Sequence, residues 1–219
     1  MAEEKNMKKI TAIMKKYGKW ILLIILVFLF LDIIEDIFAN EIYIFDNTVY
    51  HMVSNTMNPI MTQAMKIITM LGSALPILII CLVSLLLFKN KNYGKYMTLN
   101  LIIIVICNQA MKYLFQRPRP EEFRLITETG YSFPSGHSMV SMAFYGFIIY
   151  LVWKNVKKPV AKWSASIVLS ILILLIGISR IYLGVHYASD VIGGFCFSIA
   201  YLILFTSIVR SKVIREDKK

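Results

Sequence analysis

The chain has 219 residues, a formal charge of +11 and a hydrophobic share of 58%, with a mean hydropathy of +0.65. Those values exclude an ordinary soluble domain and make lipid the solvent for most of the chain. The charge does not point to nucleic acid, because the lysines fall in short clusters between apolar runs instead of on one polar face.

A helix needs roughly 17 to 25 apolar residues to cross the hydrocarbon, and the sequence predicts six such runs: Tyr17 to Phe38, Ile67 to Phe88, Tyr96 to Phe115, Met139 to Trp153, Trp163 to Tyr182 and Val191 to Val209. Lys5, Lys8, Lys9, Lys15, Lys16 and Lys19 precede the first run, and Lys89, Lys91 and Lys95 separate the second from the third. Lys154, Lys157, Lys158 and Lys162 separate the fourth from the fifth, and Arg210, Lys212, Arg215, Lys218 and Lys219 close the chain. Basic residues mark cytoplasmic loops, so both termini are expected on the cytoplasmic side of a cell membrane. The acidic stretch with Asp32, Glu35, Asp36, Glu41 and Asp46, the loop from Gln116 to Ser138 and the turn from Leu183 to Asp190 then face outside. A signal-peptide reading of the first run lacks a small-x-small cleavage site and breaks the alternation.

Between Asn40 and Lys66, apolar residues interleave with polar ones, which predicts a short helix lying at the outer interface. The expected fold is all-α: one polytopic membrane bundle over residues 1–219, with six transmembrane helices and that interfacial helix. Cys81, Cys107 and Cys196 lie inside apolar runs without paired spacing, as small core residues and not disulfides or metal ligands.

Ionisable groups at the ends of membrane helices are costly unless they pair or meet water. Here they converge at the outer face from three separate stretches. Lys112 ends the third run, Arg117, Arg119, Arg124 and His137 lie in the outer loop, Arg180 ends the fifth run, and His186 and Asp190 open the sixth. His186 and Asp190 are four apart, so on a helix they share a face and the carboxylate can fix the imidazole tautomer. The arginines and Lys112 suit a phosphate dianion. In "FPSGHS", Pro134 breaks the loop, Ser135 can cap the next helix, and Gly136 lets backbone N–H groups approach an anion at its positive end, with His137 at the rim.

Together these motifs resemble the type 2 phosphatidic acid phosphatase superfamily of lipid phosphate phosphatases. Its K-x6-RP pattern matches Lys112, Arg119 and Pro120; PSGH matches Pro134 to His137; SR-x5-H-x3-D matches Ser179, Arg180, His186 and Asp190. Arg117 with Pro118 offers a second RP, and only the register favours Arg119. The catalytic motifs fall within 112–190. The resemblance implies a metal-independent hydrolase without cofactor, acting on a phosphomonoester or diphosphate through a phosphohistidine. By position His186 would be the nucleophile, Asp190 its orienter and His137 the general acid, with Lys112, Arg119, Ser135, Gly136 and Arg180 holding the phosphoryl group. The implied partner is a membrane lipid: phosphatidylglycerophosphate, phosphatidate or undecaprenyl diphosphate, among which the sequence does not choose. A transporter would place ionisable residues near the midplane of several helices, and here the middles are apolar. A vanadate-binding oxidase with the same pocket motif would be soluble.

Overall fold

The computed structural model describes residues 2–87, 91–122 and 124–215. Phe88, Lys89, Lys218 and Lys219, expected as a span end and as inner-face charges, lie outside the described residues. All regular structure among the described residues is helical: α1 (Ala2–Ala39), α2 (Tyr43–Ser54), α3 (Pro59–Met70), α4 (Ala74–Leu87), α5 (Lys91–Phe115), α6 (Gly136–Asn155), α7 (Pro159–Tyr182) and α8 (Ala188–Arg215).

Local chemistry sets the boundaries. Asn58 caps α3, its Oδ1 accepting from the Met61 N–H at 2.9 Å, and Pro59 takes the first position, where a missing N–H costs nothing. Pro159 opens α7 in the same way. The left-handed Asn40 follows α1, and the left-handed Gly184 follows the Leu183 cap of α7.

Among the described residues, four helices are long and apolar enough to cross a membrane: α5 from Asn92, α6, α7 and α8 to Arg210. The pair α3 and α4, bent by 44°, makes up to a fifth. The expectation of six spans is thus met in part. The second run is not one helix; it is broken at Leu71, Gly72 and Ser73. The first run is helical within α1, but α1 is not among the helices that pass. The segment expected to hold one interfacial helix holds α2 and also the start of α3.

Burial is inverted relative to a soluble protein. Phe28, Leu75, Ile106, Val160 and Ile208 are exposed, while Asn100, Ser135, Ser138, Ser141 and Ser198 are buried. Lipid solvates apolar side chains as well as a core does, so apolar residues can remain outside while hydrogen-bonded polar groups share the interior with apolar ones. Asn100 Nδ2 donates to the Ala143 carbonyl at 2.8 Å, and Ser198 Oγ to that of Met139 at 3.1 Å. The central helix is α6, packed by α5, α7 and α8; α1 lies along α8 and α3 against α7. Between them Ile77, Met97, Ile104, Phe144, Phe147 and Ile176 form a closed apolar core. Gly177 lets α7 pack against α8, since a Cβ there would sit 2.6 Å from the Phe195 ring.

Candidate active site

The site lies at one pole of the bundle and is assembled by the loop 116–135. Helix α5 stops at Phe115 because Gln116 is left-handed and Pro118 and Pro120 cannot continue a helix. Three backbone bonds stitch the loop onto its surroundings: Ser132 N to Arg117 O at 2.8 Å, Leu125 N to Leu183 O at 3.0 Å, and Ser135 N to Asp190 O at 3.1 Å. Ser135 caps α6, its Oγ accepting from the Ser138 N–H at 3.4 Å and the Ser138 hydroxyl at 3.0 Å. Asn108 on α5 holds the turn by donating to the Pro134 carbonyl at 3.0 Å.

His186 is not on a helix, which corrects the expectation of a shared helical face. It lies in the turn between α7 and α8, yet its Nδ1 still comes 3.3 Å from Asp190 Oδ2. Asp190 sits at the third position of α8 and accepts from the Tyr187 N–H at 2.9 Å, the carboxylate half of a capping box. The helix N-terminus and these donors favour the ionised carboxylate. Ser132 donates to the same Asp190 oxygen.

The other ring nitrogen, Nε2, is 3.1 Å from Nη1 of Arg119. A guanidinium only donates, so Nε2 is the unprotonated acceptor and the ring proton faces Asp190. Burial pushes the His186 imidazole down to about 4, with the Asp190 hydrogen bond opposing it. The ring is therefore neutral near pH 7, with the Nε2 lone pair facing Arg119. Arg119 is itself pinned: it donates to the carbonyls of Gly130 at 3.0 Å, Val185 at 2.9 Å and Thr129 at 3.1 Å.

Lys112, Arg119, Gly136, His137, Arg180 and His186 line a single cavity of about 830 Å³. Its far wall is apolar, with Leu78 of α4 and Leu101, Ile102, Val105 and Ile106 of α5. Ser135 and Asp190 are fully buried behind it and do not line it. A second cavity of about 500 Å³, lined by Tyr43, Asp46, Tyr50 and His51 among others, shares Arg119 and His186 with the first. Arg180 is 1% exposed; its Nη1 donates to Thr69 Oγ1 at 2.9 Å and its Nη2 to Glu128 Oε1 at 2.5 Å, and its Nε has no partner.

The side chains of the two arginine–proline pairs go to different places. Arg119 reaches His186, whereas Arg117 turns away, donating to Asp190 Oδ1 at 2.7 Å, Ser189 Oγ at 2.8 Å and Asp46 Oδ2 at 2.8 Å. Asp46, Thr69, Glu128 and Ser132 were not among the residues anticipated here. Only the position of Asp46 and Glu128 in outer segments hinted at them, since their partners are distant in sequence.

The family model described as "PAP2 superfamily" matches residues 93–214. The chain belongs to the PAP2 superfamily. Phosphatidylglycerophosphatase B of Bacillus subtilis (strain 168) is 31% identical over 180 residues, which cover 80% of this chain and 88% of that protein. Undecaprenyl-diphosphatase of Sulfolobus acidocaldarius is 26% identical over 188 residues, 83% of this chain and 86% of that one. Among solved structures, the transmembrane PAP2-type phosphatidylglycerolphosphate phosphatase of B. subtilis superposes with a TM-score of 0.79 at 30% identity, covering 88% of this chain and 98% of that one. This PAP2 protein is a multi-pass membrane phosphatase acting on phosphoric esters of lipids.

Proposed function

We propose that this PAP2 phosphatase hydrolyses the terminal phosphate of phosphatidylglycerophosphate, or the diphosphate of undecaprenyl diphosphate, through a phosphohistidine at the outer membrane face. The observation that carries the reading is His186, its Nδ1 facing Asp190 and its Nε2 facing Arg119, at the wall of a cavity that Lys112, Arg119 and Arg180 also line.

In this reading Lys112, Arg119 and Arg180, with the N-terminus of α6 at Gly136, hold the phosphoryl oxygens, and Ser135 holds that N-terminus in place as its cap. Transfer of a phosphoryl group asks chiefly for alignment and fixed positive charge around its equatorial oxygens. Nε2 attacks phosphorus as the bond to the leaving oxygen breaks, and His137 gives that oxygen its proton. Water, its proton taken by His137, then cleaves the N–P bond and frees phosphate. The apolar wall from α4 and α5 suits an acyl or prenyl chain beside the phosphate. Phosphatidate is a third candidate of the same chemistry.

We place α1 across the membrane as a sixth span, with both termini cytoplasmic. Its support is the packing of α1 along α8, where Leu26 is buried against Cys196 and Ala200, together with the lysine alternation. The test is phosphate release by the detergent-purified protein, with excess chelator, from a panel of the three lipids. Release that persists with chelator and ranks one lipid first supports the reading; release abolished by chelator overturns it.

A further inference from the structure

The loop between α5 and α6 puts an anion where the reading above puts a phosphate. Glu128 lines the large cavity, and its Oε1 accepts from Arg180 Nη2 at 2.5 Å with the glutamate side chain 30% exposed. Burial alone would raise the Glu128 carboxyl, but the hydrogen bond and charge of Arg180, then the charge of Arg119, hold it below the ordinary carboxylate range. Glu128 is thus surrounded by the groups expected to surround a phosphoryl oxygen. Among the described residues it is the only anionic partner of Arg180, whose remaining contact is the neutral Thr69 hydroxyl and whose Nε is unpaired and buried. Two residues on, Gly130 is left-handed, and a Cβ there would meet nothing within 4 Å.

We propose that Glu128 is a specificity-determining residue: it occupies the phosphate position of the resting site, and a substrate binds only by taking Arg180 from it. The proposal rests on the cavity being the anion site. One carboxylate brings a single negative charge, whereas a terminal phosphate brings nearly two and three acceptor oxygens, so it wins the exchange. A phosphodiester, with one charge and two free oxygens, gains little over Glu128 and is left out. Apparent affinity for every anion is reduced by the fraction of molecules in which Arg180 is free.

The test is orthovanadate binding to the full-length protein in detergent by calorimetry, for wild type, Glu128→Gln and Glu128→Asp, each checked for an unchanged melting temperature. Glutamine removes the charge; aspartate keeps it but is too short to reach Arg180. Both variants are expected to bind orthovanadate about tenfold more tightly, corresponding to an open fraction of about one tenth in wild type, and both gain measurable binding of dimethyl phosphate. Unchanged or weaker binding in both variants overturns the proposal. Tighter binding in Glu128→Gln alone also overturns it, since that outcome is through-space repulsion without exchange. If neither wild type nor any folded variant binds orthovanadate, the anion-site reading itself fails, a result distinct from equal binding by all three.

Discussion

Arg117 and Asp46 stand 71 residues apart and form a 2.8 Å ion pair, the arginine 11% and the aspartate 1% exposed. Asp46 belongs to α2, outside the residues matched by the family model, yet it reaches the catalytic end of the chain. It also accepts from the Ser189 N–H at 2.8 Å and the Ser189 hydroxyl at 2.7 Å, while Arg117 lies over the Tyr187 ring at 4.2 Å and binds Asp190 with its other amino group. Removing Asp46 leaves a half-satisfied guanidinium and two orphaned donors beside Asp190.

Breaking one partner of a buried pair costs about 3 to 5 kcal/mol. Asp46→Ala is expected to lower stability in detergent by about that much, read from denaturant or thermal unfolding, and to depress kcat more than it raises KM. Arg117→Ala combined with it should cost less than the sum of the two. Full additivity in such a cycle would show that the pair does not act as a unit.

His186 is predicted to become phosphorylated during turnover. With a substrate labelled in the terminal phosphate, rapid quenching should trap an acid-labile, base-stable label on the wild-type chain and none on His186→Ala. That variant should lose turnover by on the order of 10⁴-fold or more while still binding orthovanadate. A label retained in His186→Ala would move the nucleophile elsewhere.

The acid limb of kcat/KM follows from the environment of His186. Protonation of Nε2 removes the nucleophile, and burial pushes the imidazole down to about 4, so activity should persist well below the ordinary histidine value of about 6.5. Asp190 opposes that shift. Asp190→Asn should therefore move the limb to still lower pH even as it lowers the rate, because the tautomer is no longer fixed. A limb that stays put or rises in the variant, measured on a short-chain lipid phosphate, would contradict this account.

The sequence motifs located the cationic wall because each is local: a lysine and arginine at fixed spacing, a capping serine with its glycine and histidine, and a histidine four before an aspartate. Lys112, Arg119, Gly136, His137, Arg180 and His186 do line one cavity. What spacing could not convey was long-range pairing. Nothing near Asp46 announces Arg117, and nothing near Thr69 announces Arg180, because those partners meet only after α2 and α3 fold back against α8 and α7. The apolar runs also conveyed length better than continuity. Residues 67–88 read as one span, since hydropathy does not register a break at three residues whose freed backbone groups find partners inside the protein.

That break makes a last prediction. At the bend between α3 and α4 the Leu71 carbonyl accepts from the Tyr145 hydroxyl of α6 at 2.8 Å, so the site floor and α6 are joined there. Gly72 faces inward: a Cβ on it would come 2.6 Å from Ile176 Cγ2 and 3.3 Å from His137 Cδ2. Ile176 belongs to the closed core and has little room to yield, so the added methyl must displace the bend or the imidazole. Gly72→Ala is expected to destabilise by about 1 to 3 kcal/mol and to reduce kcat, while leaving phosphorylation of His186 detectable in a single turnover. Tyr145→Phe, which frees the Leu71 carbonyl without adding volume, should cost about 1 kcal/mol and change kcat far less. If the two variants lose activity in proportion to their stability, the bend is only a structural joint; a larger kinetic loss in Gly72→Ala ties it to the placement of His137.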